Sequence, residues 1–157
     1  MKNGFTVVEL VIVLIMIGII AAIAVPNLTK AIMTANEASA ISSLRLLSQA
    51  ETERMILKGE YETFTQLIEQ GIIDERFKLD VDGEAKATGY RFKLVMLGTS
   101  PPNFLILARP VSTNPVVMSG SRRFGVDRQQ VIYADSTNID DHFQSVEELY
   151  TAHPVGD

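Results

Sequence analysis

The feature that most constrains this chain is an almost uncharged apolar stretch at its N-terminus. Between Lys2 and Lys30 the only charged residue is Glu9, and residues 10 to 25 are almost wholly aliphatic. As a helix that rises about 1.5 Å per residue, the 21 residues from Phe5 to Val25 cross the hydrocarbon core of a bilayer, which is roughly 30 Å thick. The sequence therefore predicts one membrane span, with the N-terminus in the cytoplasm because the basic residue precedes the span.

Two ordinary kinds of N-terminal segment also fit this stretch, a cleaved secretory signal and an uncleaved signal-anchor. For a secretory signal, Ala22-Ile23-Ala24 supplies the small residues that precede cleavage. Neither kind explains Glu9, because a carboxylate at mid-membrane costs about 2.5 to 3.5 kcal/mol on insertion scales. A third interpretation of this segment has to supply a group that neutralises the charge of Glu9.

Several residues in fixed register supply that interpretation. The run from Gly4 to Glu9 reads Gly-Phe-Thr-Val-Val-Glu and opens the apolar segment, and Gly18 and Pro26 lie within it. In these residues the chain resembles the type IV pilin and type II secretion pseudopilin superfamily. The resemblance implies that a prepilin peptidase cuts after Gly4 on the cytoplasmic side and that Phe5 is then N-methylated. Residues 1–4 would be the leader, and Glu9 would match the glutamate of the family motif.

The pairing of Glu9 also follows from the chemistry of that cleavage. A cut after Gly4 leaves an ammonium group on Phe5, and the i,i+4 spacing brings Glu9 to the same helix face. In apolar surroundings, pairing of Glu9 with the ammonium of a neighbouring, axially staggered subunit would neutralise both charges and fix the register between helices. The alternative is that Glu9 lies near the lipid headgroups and is solvated.

Gly18 and Pro26 weaken the same helix. Proline lacks an N–H and clashes with the carbonyl four residues earlier, so the hydrogen bonding of the turn around Ala22 is opened, and glycine lowers the helical propensity nearby. In a single chain this can be a simple kink. The resemblance implies that in a packed filament the segment between the two residues loses helical structure.

The chain is predicted to continue from the membrane into a head. Residues 5–28 form the transmembrane or filament-core helix, residues 29–59 continue it as an amphipathic helix that ends at Gly59, and residues 60–157 form the head. A helix of about 50 residues is about 75 Å long, which a head of this size cannot cover. Its exposed first half therefore needs lipid, and later other subunits, as partners.

The head is predicted to be a small antiparallel sheet on the long helix. Residues 62–70 favour a short helix, and alternating patterns and turn residues predict four strands in a meander. The predicted strands are residues 90–96, 104–108, 123–126 and 130–134, the last two joined by a turn at Asp127-Arg128-Gln129. Residues 111–121 and 136–157 are rich in turn-forming residues and are expected to be loops, with a short helix at residues 146–150. The fold class is α+β and pilin-like.

The composition excludes several kinds of function. The chain has no cysteine, so it has neither disulfides nor thiolate sites, and its net charge of -5 does not favour contact with nucleic acid. The two histidines, His142 and His153, lie in the polar C-terminal region without a nucleophile motif, so the chain is not expected to be an enzyme. Arg122-Arg123 is too small a basic pair for a nucleic-acid site and is expected to be exposed.

Two acidic segments carry side-chain oxygens of the kind that bind calcium. Residues 80–84 read Asp-Val-Asp-Gly-Glu but lack the spacing of a calcium-binding loop, so a solvated turn is expected. Asp135, Asn138, Asp140 and Asp141 form a second oxygen-rich cluster. Some pseudopilins hold calcium at about this place in the chain, which makes these four residues weak candidates. The expectation is no metal and no cofactor, the alternative being a calcium site in this surface loop.

These observations favour a structural subunit over an enzyme. The expected function is a pilin of a type IV pilus, with a type II secretion pseudopilin as the first alternative and a membrane-anchored extracytoplasmic binding module that never polymerises as the second. The expected partners are other copies of the chain or other pilins, the prepilin peptidase, the inner-membrane assembly machinery and the lipid bilayer. The expected location is the bacterial inner membrane, with the head in the periplasm, and afterwards a cell-surface or periplasm-spanning filament.

Overall fold

The longest element is an N-terminal helix. The computed structural model describes residues 5–99, 102–114 and 117–155, and in it helix α1 runs Val7–Lys58. The helix ends at Gly59, which has the positive φ of 79° that glycine adopts without strain and whose N–H donates to the carbonyl of Met55 at 3.0 Å. The predicted end of the helix at Gly59 is confirmed.

The chain divides into two compact units at Ile32. The first unit contains the start of α1. The second, residues 33–157, joins the rest of α1 to the predicted head of residues 60–157, and this whole unit is called the head from here on. The remaining helices of the head are short. They are α2, Phe64–Glu69, a single 3-10 turn, Glu75–Phe77, and α3, Val146–Thr151. Helix α2 begins with a capping box in which Thr63 and Gln66 each bond the other's backbone N–H.

The sheet of the head is an antiparallel meander of consecutive strands. Its strands are β1, Ala85–Ala87; β2, Tyr90–Thr99; β3, Pro102–Pro110; β4, Arg123–Asp127; β5, Ile132–Asp135; and β6, His153–Pro154. The predicted fold class is confirmed, but the predicted count of four strands is wrong. The two additional strands, β1 and β6, have three residues and two residues, too few for an alternating pattern to be recognised.

The longest strand pairing in the sheet is that of β2 with β3. Its register runs from Tyr90 opposite Pro110 to Leu97 opposite Asn103, and a bulge follows at Gly98, which has a φ of 62°. The connection between the predicted strands at residues 90–96 and 104–108 lies partly outside the described residues, because residues 100 and 101 are not described.

Alternation along the strands directs one set of side chains towards α1. Phe92, Phe104 and Phe124 are fully buried on this face, where they meet Leu44 and Leu47 of the helix. The aromatic rings touch one another; for example, Phe77 and Phe92 pack edge to face with centroids 5.6 Å apart. The predicted packing of the sheet on the long helix is confirmed.

The opposite face of the sheet is covered by the C-terminal segment. Leu105 and Leu107 of β3 form a second, smaller core with Phe143 and Leu149. Gly125 makes this approach possible, because a Cβ at that position would lie 2.5 Å from Cδ1 of Leu149. The C-terminal region, expected to be mainly loops, is therefore a packed layer, although the predicted short helix within it is present.

Candidate assembly site

The start of α1 carries the residues of the predicted processing and assembly site. Gly4 and the rest of the leader lie outside the described residues, and the side chain of Phe5 is largely exposed. The backbone N–H and the hydroxyl of Thr6 both donate to Oε2 of Glu9, at 2.9 and 2.7 Å, and the N–H of Glu9 donates to Oγ1 of Thr6 at 3.3 Å. Thr6 and Glu9 thus form a reciprocal capping box.

This local role of Glu9 was not predicted from the sequence. The spacing Thr-x-x-Glu before an apolar run is the signature of a capping box, so the signal was present. The box satisfies two helix N–H groups that otherwise lack an intrahelical acceptor. Only Oε2 of the carboxylate takes part, and Oε1 has no hydrogen-bond partner among the described residues. Glu9 can therefore cap its own helix and still offer an oxygen to a neighbour.

The helix that follows is apolar on all sides and uncovered. From Val7 to Ile32 the large apolar side chains are between 44% and 77% exposed. This part of α1 is long and apolar enough to cross a membrane, judged by length and composition. Since exposed apolar surface on this scale is not stable in water, the segment requires lipid or other apolar helices around it.

Gly18 and Pro26 lie inside the uninterrupted helix. Among the described residues, no atom lies within 4 Å of the position that a Cβ on Gly18 would occupy, so this glycine relieves no crowding in that part of the chain. Near Pro26, the hydroxyl of Thr29 donates to the carbonyl of Val25 at 3.2 Å, a bond typical of bent helices. The loss of helical structure expected in a filament stays a prediction.

Within the head, Glu37 joins α1 to the segment that precedes β4. Its two carboxylate oxygens accept from the backbone and hydroxyl of Ser121, at 2.8 and 2.7 Å, and from two nitrogens of Arg122, at 3.0 and 2.7 Å. Burial by itself raises the pKa of Glu37, but these bonds more than offset it and leave the pKa below its ordinary value. Glu37 therefore keeps its negative charge to lower pH in the folded head than an ordinary glutamate does.

Arg123 is the centre of an ion cluster beneath the C-terminal segment. Its guanidinium donates to Oδ2 of Asp135, at 3.0 and 2.7 Å, and to Oε1 of Glu148, at 2.7 Å, and it stacks 4.2 Å from the ring centre of Phe143. The side chain is only 3% exposed. The expected exposure of Arg123 is therefore wrong, because acidic partners on β5 and α3 allow its charge to be buried.

A second cluster gathers around Glu84. Nη1 of Arg91 lies 3.0 Å from Asp80, 3.4 Å from Asp82 and 3.4 Å from Glu84. The guanidinium of Arg91 thus occupies the position between these carboxylates where a metal ion would have to bind. The ring of His142 is buried, with Nε2 3.0 Å from Oε1 of Glu84. Burial lowers the pKa of His142 to about 4 despite the carboxylate beside it.

These contacts correct the expectation of a solvated turn, and they place a histidine of the polar C-terminal region in the interior of the head. The turn at residues 80–84 is only partly solvated, because Glu84 is buried and paired. His142 is not an exposed residue of a polar tail but a buried link, 58 positions from its partner in sequence.

The weak calcium candidates are not gathered around one point. Asp135 is paired with Arg123 and also accepts from Thr137, while Asp140 contributes its backbone carbonyl to Arg109 at 3.0 Å. Within residues 5–99, 102–114 and 117–155, no three His, Asp or Glu side chains are placed to hold a metal ion. The Asp135 carboxylate is therefore a partner of Arg123 in this structure.

Comparison with known proteins gives one informative relative. The chain is 32% identical over 126 residues to the type IV major pilin protein PilA of Myxococcus xanthus (strain DK1622), an alignment that covers 80% of this chain. The chain spans about half the length of that relative, 53%. No family model matches the chain. No solved structure matches it either.

Proposed function

This chain is pilin-like in both sequence and architecture, and from that premise we propose that it is the structural subunit of a type IV pilus filament. In this proposal the prepilin peptidase removes residues 1–4, and the mature subunit is assembled from the inner membrane by packing of its N-terminal helices. The role is structural and not enzymatic.

The observation that carries the proposal is the uncovered apolar part of α1. The head has its own core, formed by α1 from about residue 40 onward, α2 and the sheet. None of that core includes the apolar side chains between Val7 and Ile32. A bilayer satisfies this surface for a single subunit, and a bundle of equivalent helices satisfies it in a polymer. A filament subunit needs both environments, first the bilayer and then the bundle of helices.

Glu9 then has two successive roles. In the single chain its Oε2 caps α1 through Thr6. In the filament its remaining oxygen pairs with the ammonium group of Phe5 in a neighbouring subunit, which sets the axial register of the helices. A capping box holds the carboxylate at the first turn of the helix, close to where a newly formed N-terminus of a neighbour would lie.

The location follows from the same elements. The first part of α1 crosses the inner membrane once, with its N-terminus in the cytoplasm, and the head is in the periplasm until the subunit joins a surface filament. The partners are further copies of this chain or other pilins, the prepilin peptidase, the assembly machinery of the inner membrane, and lipid.

A pseudopilin of a type II secretion system is the second candidate, because it rests on the same helix and the same processing chemistry. The pilus is preferred since the relative of this chain is named a major pilin. A membrane-anchored binding module that does not polymerise is the third candidate. It accounts for the apolar helix but gives Glu9 no partner beyond its own cap.

The filament itself tests the proposal. Cells that express a tagged copy, together with a prepilin peptidase and pilus machinery, should release filaments on shearing, and electron microscopy should show the tag along them. Intact mass measurement of the released subunit should give a chain that starts at Phe5 with one added methyl group. A secretory signal would instead give a soluble protein that starts at Val25, and a binding module would give a membrane protein without filaments.

We propose that the subunit needs no cofactor, and calcium is the ion to test. Because Asp135 is already neutralised by Arg123, millimolar calcium should leave the thermal midpoint of residues 33–157 unchanged, as magnesium should. A rise of several degrees with calcium, absent from an Asp140→Ala variant, would contradict this. That result would favour the pseudopilin candidate.

A further inference from the structure

A buried carboxylate lies beneath the turn between α1 and α2. The turn comprises residues 59–63, here called the α1–α2 corner. Glu51 of α1 is fully buried, and its Oε2 accepts from the backbone N–H of Glu62 at 3.0 Å. Its second oxygen, Oε1, is also buried and has no hydrogen-bond partner among the described residues. A buried polar atom without a partner is uncommon and costs stability.

The surroundings make a negative charge on Glu51 more costly. Glu62 is itself buried, and its carboxylate is held by Nζ of Lys58 at 2.5 Å and by Nε2 of Gln70 at 2.9 Å. These donors serve Glu62 and leave nothing for Oε1 of Glu51. The titratable and charged groups in and around the corner are Arg54, Lys58, Glu60, Tyr61, Glu62, Asp127 and Arg128. No cation among them forms an ion pair with Glu51 in the described part of the chain.

We propose that the α1–α2 corner is a pH-sensitive hinge, closed while Glu51 is protonated and loosened once Glu51 ionises. An ionised Glu51 can be hydrated only if the corner moves away from α1 and admits water. Movement breaks the bond between Glu51 and the N–H of Glu62, and it disturbs the edge-to-face packing of Tyr61 on Phe104, whose ring centres are 4.9 Å apart. The inference does not depend on whether the chain polymerises.

The direction of the pH effect follows from the shift of Glu51. Burial, with a further contribution from the charge of Glu62, raises the pKa of Glu51 from 4.5 to about 7 in the closed corner, although the N–H of Glu62 acts against the shift. A group whose folded pKa is raised favours the closed state at low pH, and that preference is lost as the pH rises from about 4.5 to about 7. Above about pH 7 the preference for the closed corner should fall no further.

Hydrogen exchange of the full chain in detergent micelles tests the hinge. After correction for the intrinsic effect of pH on exchange, the amides of residues 60–63 should lose about tenfold or more of their protection between pH 5.5 and pH 8. In Glu51→Gln, which keeps an acceptor for the N–H of Glu62 without a charge, the loss should disappear. Glu60→Gln, a change of an exposed acid in the same corner, should behave like the wild type.

Two results would overturn the hinge. One is protection of residues 60–63 that does not change with pH in the wild type. The other is a pH dependence that survives in Glu51→Gln, which would assign it to another group of the corner. Circular dichroism of each variant at both pH values establishes that the head remains folded, so that a change in exchange can be assigned to the corner.

Discussion

Replacing Glu9 with alanine is expected to reduce the yield of sheared filaments to a small fraction of the wild-type yield, while membrane insertion and cleavage after Gly4 continue. Removal of a carboxylate from an apolar helix makes insertion easier, so a weaker anchor cannot explain the defect. In the assembled core, the ammonium of a neighbour's Phe5 would lose its counter-charge. Deleting one partner of a buried ion pair costs about 3 to 5 kcal/mol, and this penalty would recur at every subunit added.

The capping box calls for a second substitution at the same position. Glu9→Ala removes both the predicted ion pair and the cap that Thr6 and Glu9 form. Glu9→Gln keeps an oxygen that can accept from Thr6, so it retains the cap and removes only the charge. If the ion pair matters, both variants should lose filaments. A cap-only role predicts a normal yield for Glu9→Gln.

The measurements are the abundance of the chain in the membrane fraction, the mass of the processed subunit, and the yield of sheared filaments in cells without wild-type subunits. Thr6→Ala, which removes the hydroxyl of the cap and leaves Glu9 charged, serves as the matched control and should lower the yield only modestly. Wild-type yields from Glu9→Ala would show that Glu9 has no part in setting the register.

The second large effect is expected in the head, where Arg123→Ala should lower the free energy of unfolding by about 3 to 5 kcal/mol. The substitution leaves Asp135 and Glu148 without their shared cation beneath the C-terminal segment. It also removes the stacking of the guanidinium on Phe143. Because α3 rests on this cluster and on the small core around Leu149, the C-terminal layer should detach first.

Denaturant unfolding of residues 33–157 measures this effect, and limited proteolysis locates the segment that detaches. Arg128→Ala, at an exposed position in the turn after β4, is the control for loss of one positive charge and should change stability by less than about 0.5 kcal/mol. Arg123→Lys should lie between the two, since it keeps the charge but cannot bond both carboxylates in the same geometry. Equal stabilities of Arg123→Ala and Arg128→Ala would contradict the role assigned to the cluster.

The sequence was sufficient to predict the helices and strands whose cause lies in neighbouring residues. The apolar run after Phe5 predicted a helix with no core around it, and the side chains from Val7 onward are indeed exposed. Gly59 predicted the end of α1, and alternation predicted a strand at residues 90–96, which lies within β2. In each case the physical cause lies within a few residues: a helix repeats every 3.6 residues, a strand every two, and glycine accepts a positive φ.

Prediction was poorer for short strands and for the C-terminal layer. β1 and β6 are held by hydrogen bonds to neighbouring strands, and nothing in two or three residues reveals those bonds. Residues 136–155 are polar enough to read as loops, yet Phe143 and Leu149 pack on the sheet because Gly125 leaves room for them. The residues of the predicted processing and assembly site were named from the sequence, but Gly4 lies outside the described residues, so the roles in processing and assembly stay predictions.

The sequence by itself determined the apolar helix, the place of a charged residue at its start, and the class of head that follows, because these depend on neighbours in the chain. Only the tertiary structure decided that Arg123, His142 and Glu51 are buried. A charged residue stays in water unless a partner comes with it, and those partners lie far along the chain: Glu148 is 25 positions from Arg123, and Glu84 is 58 from His142. Among the residues that the structure describes, Glu51 has only the backbone of Glu62 as its partner, so its burial has a free-energy cost that no local sequence pattern could reveal.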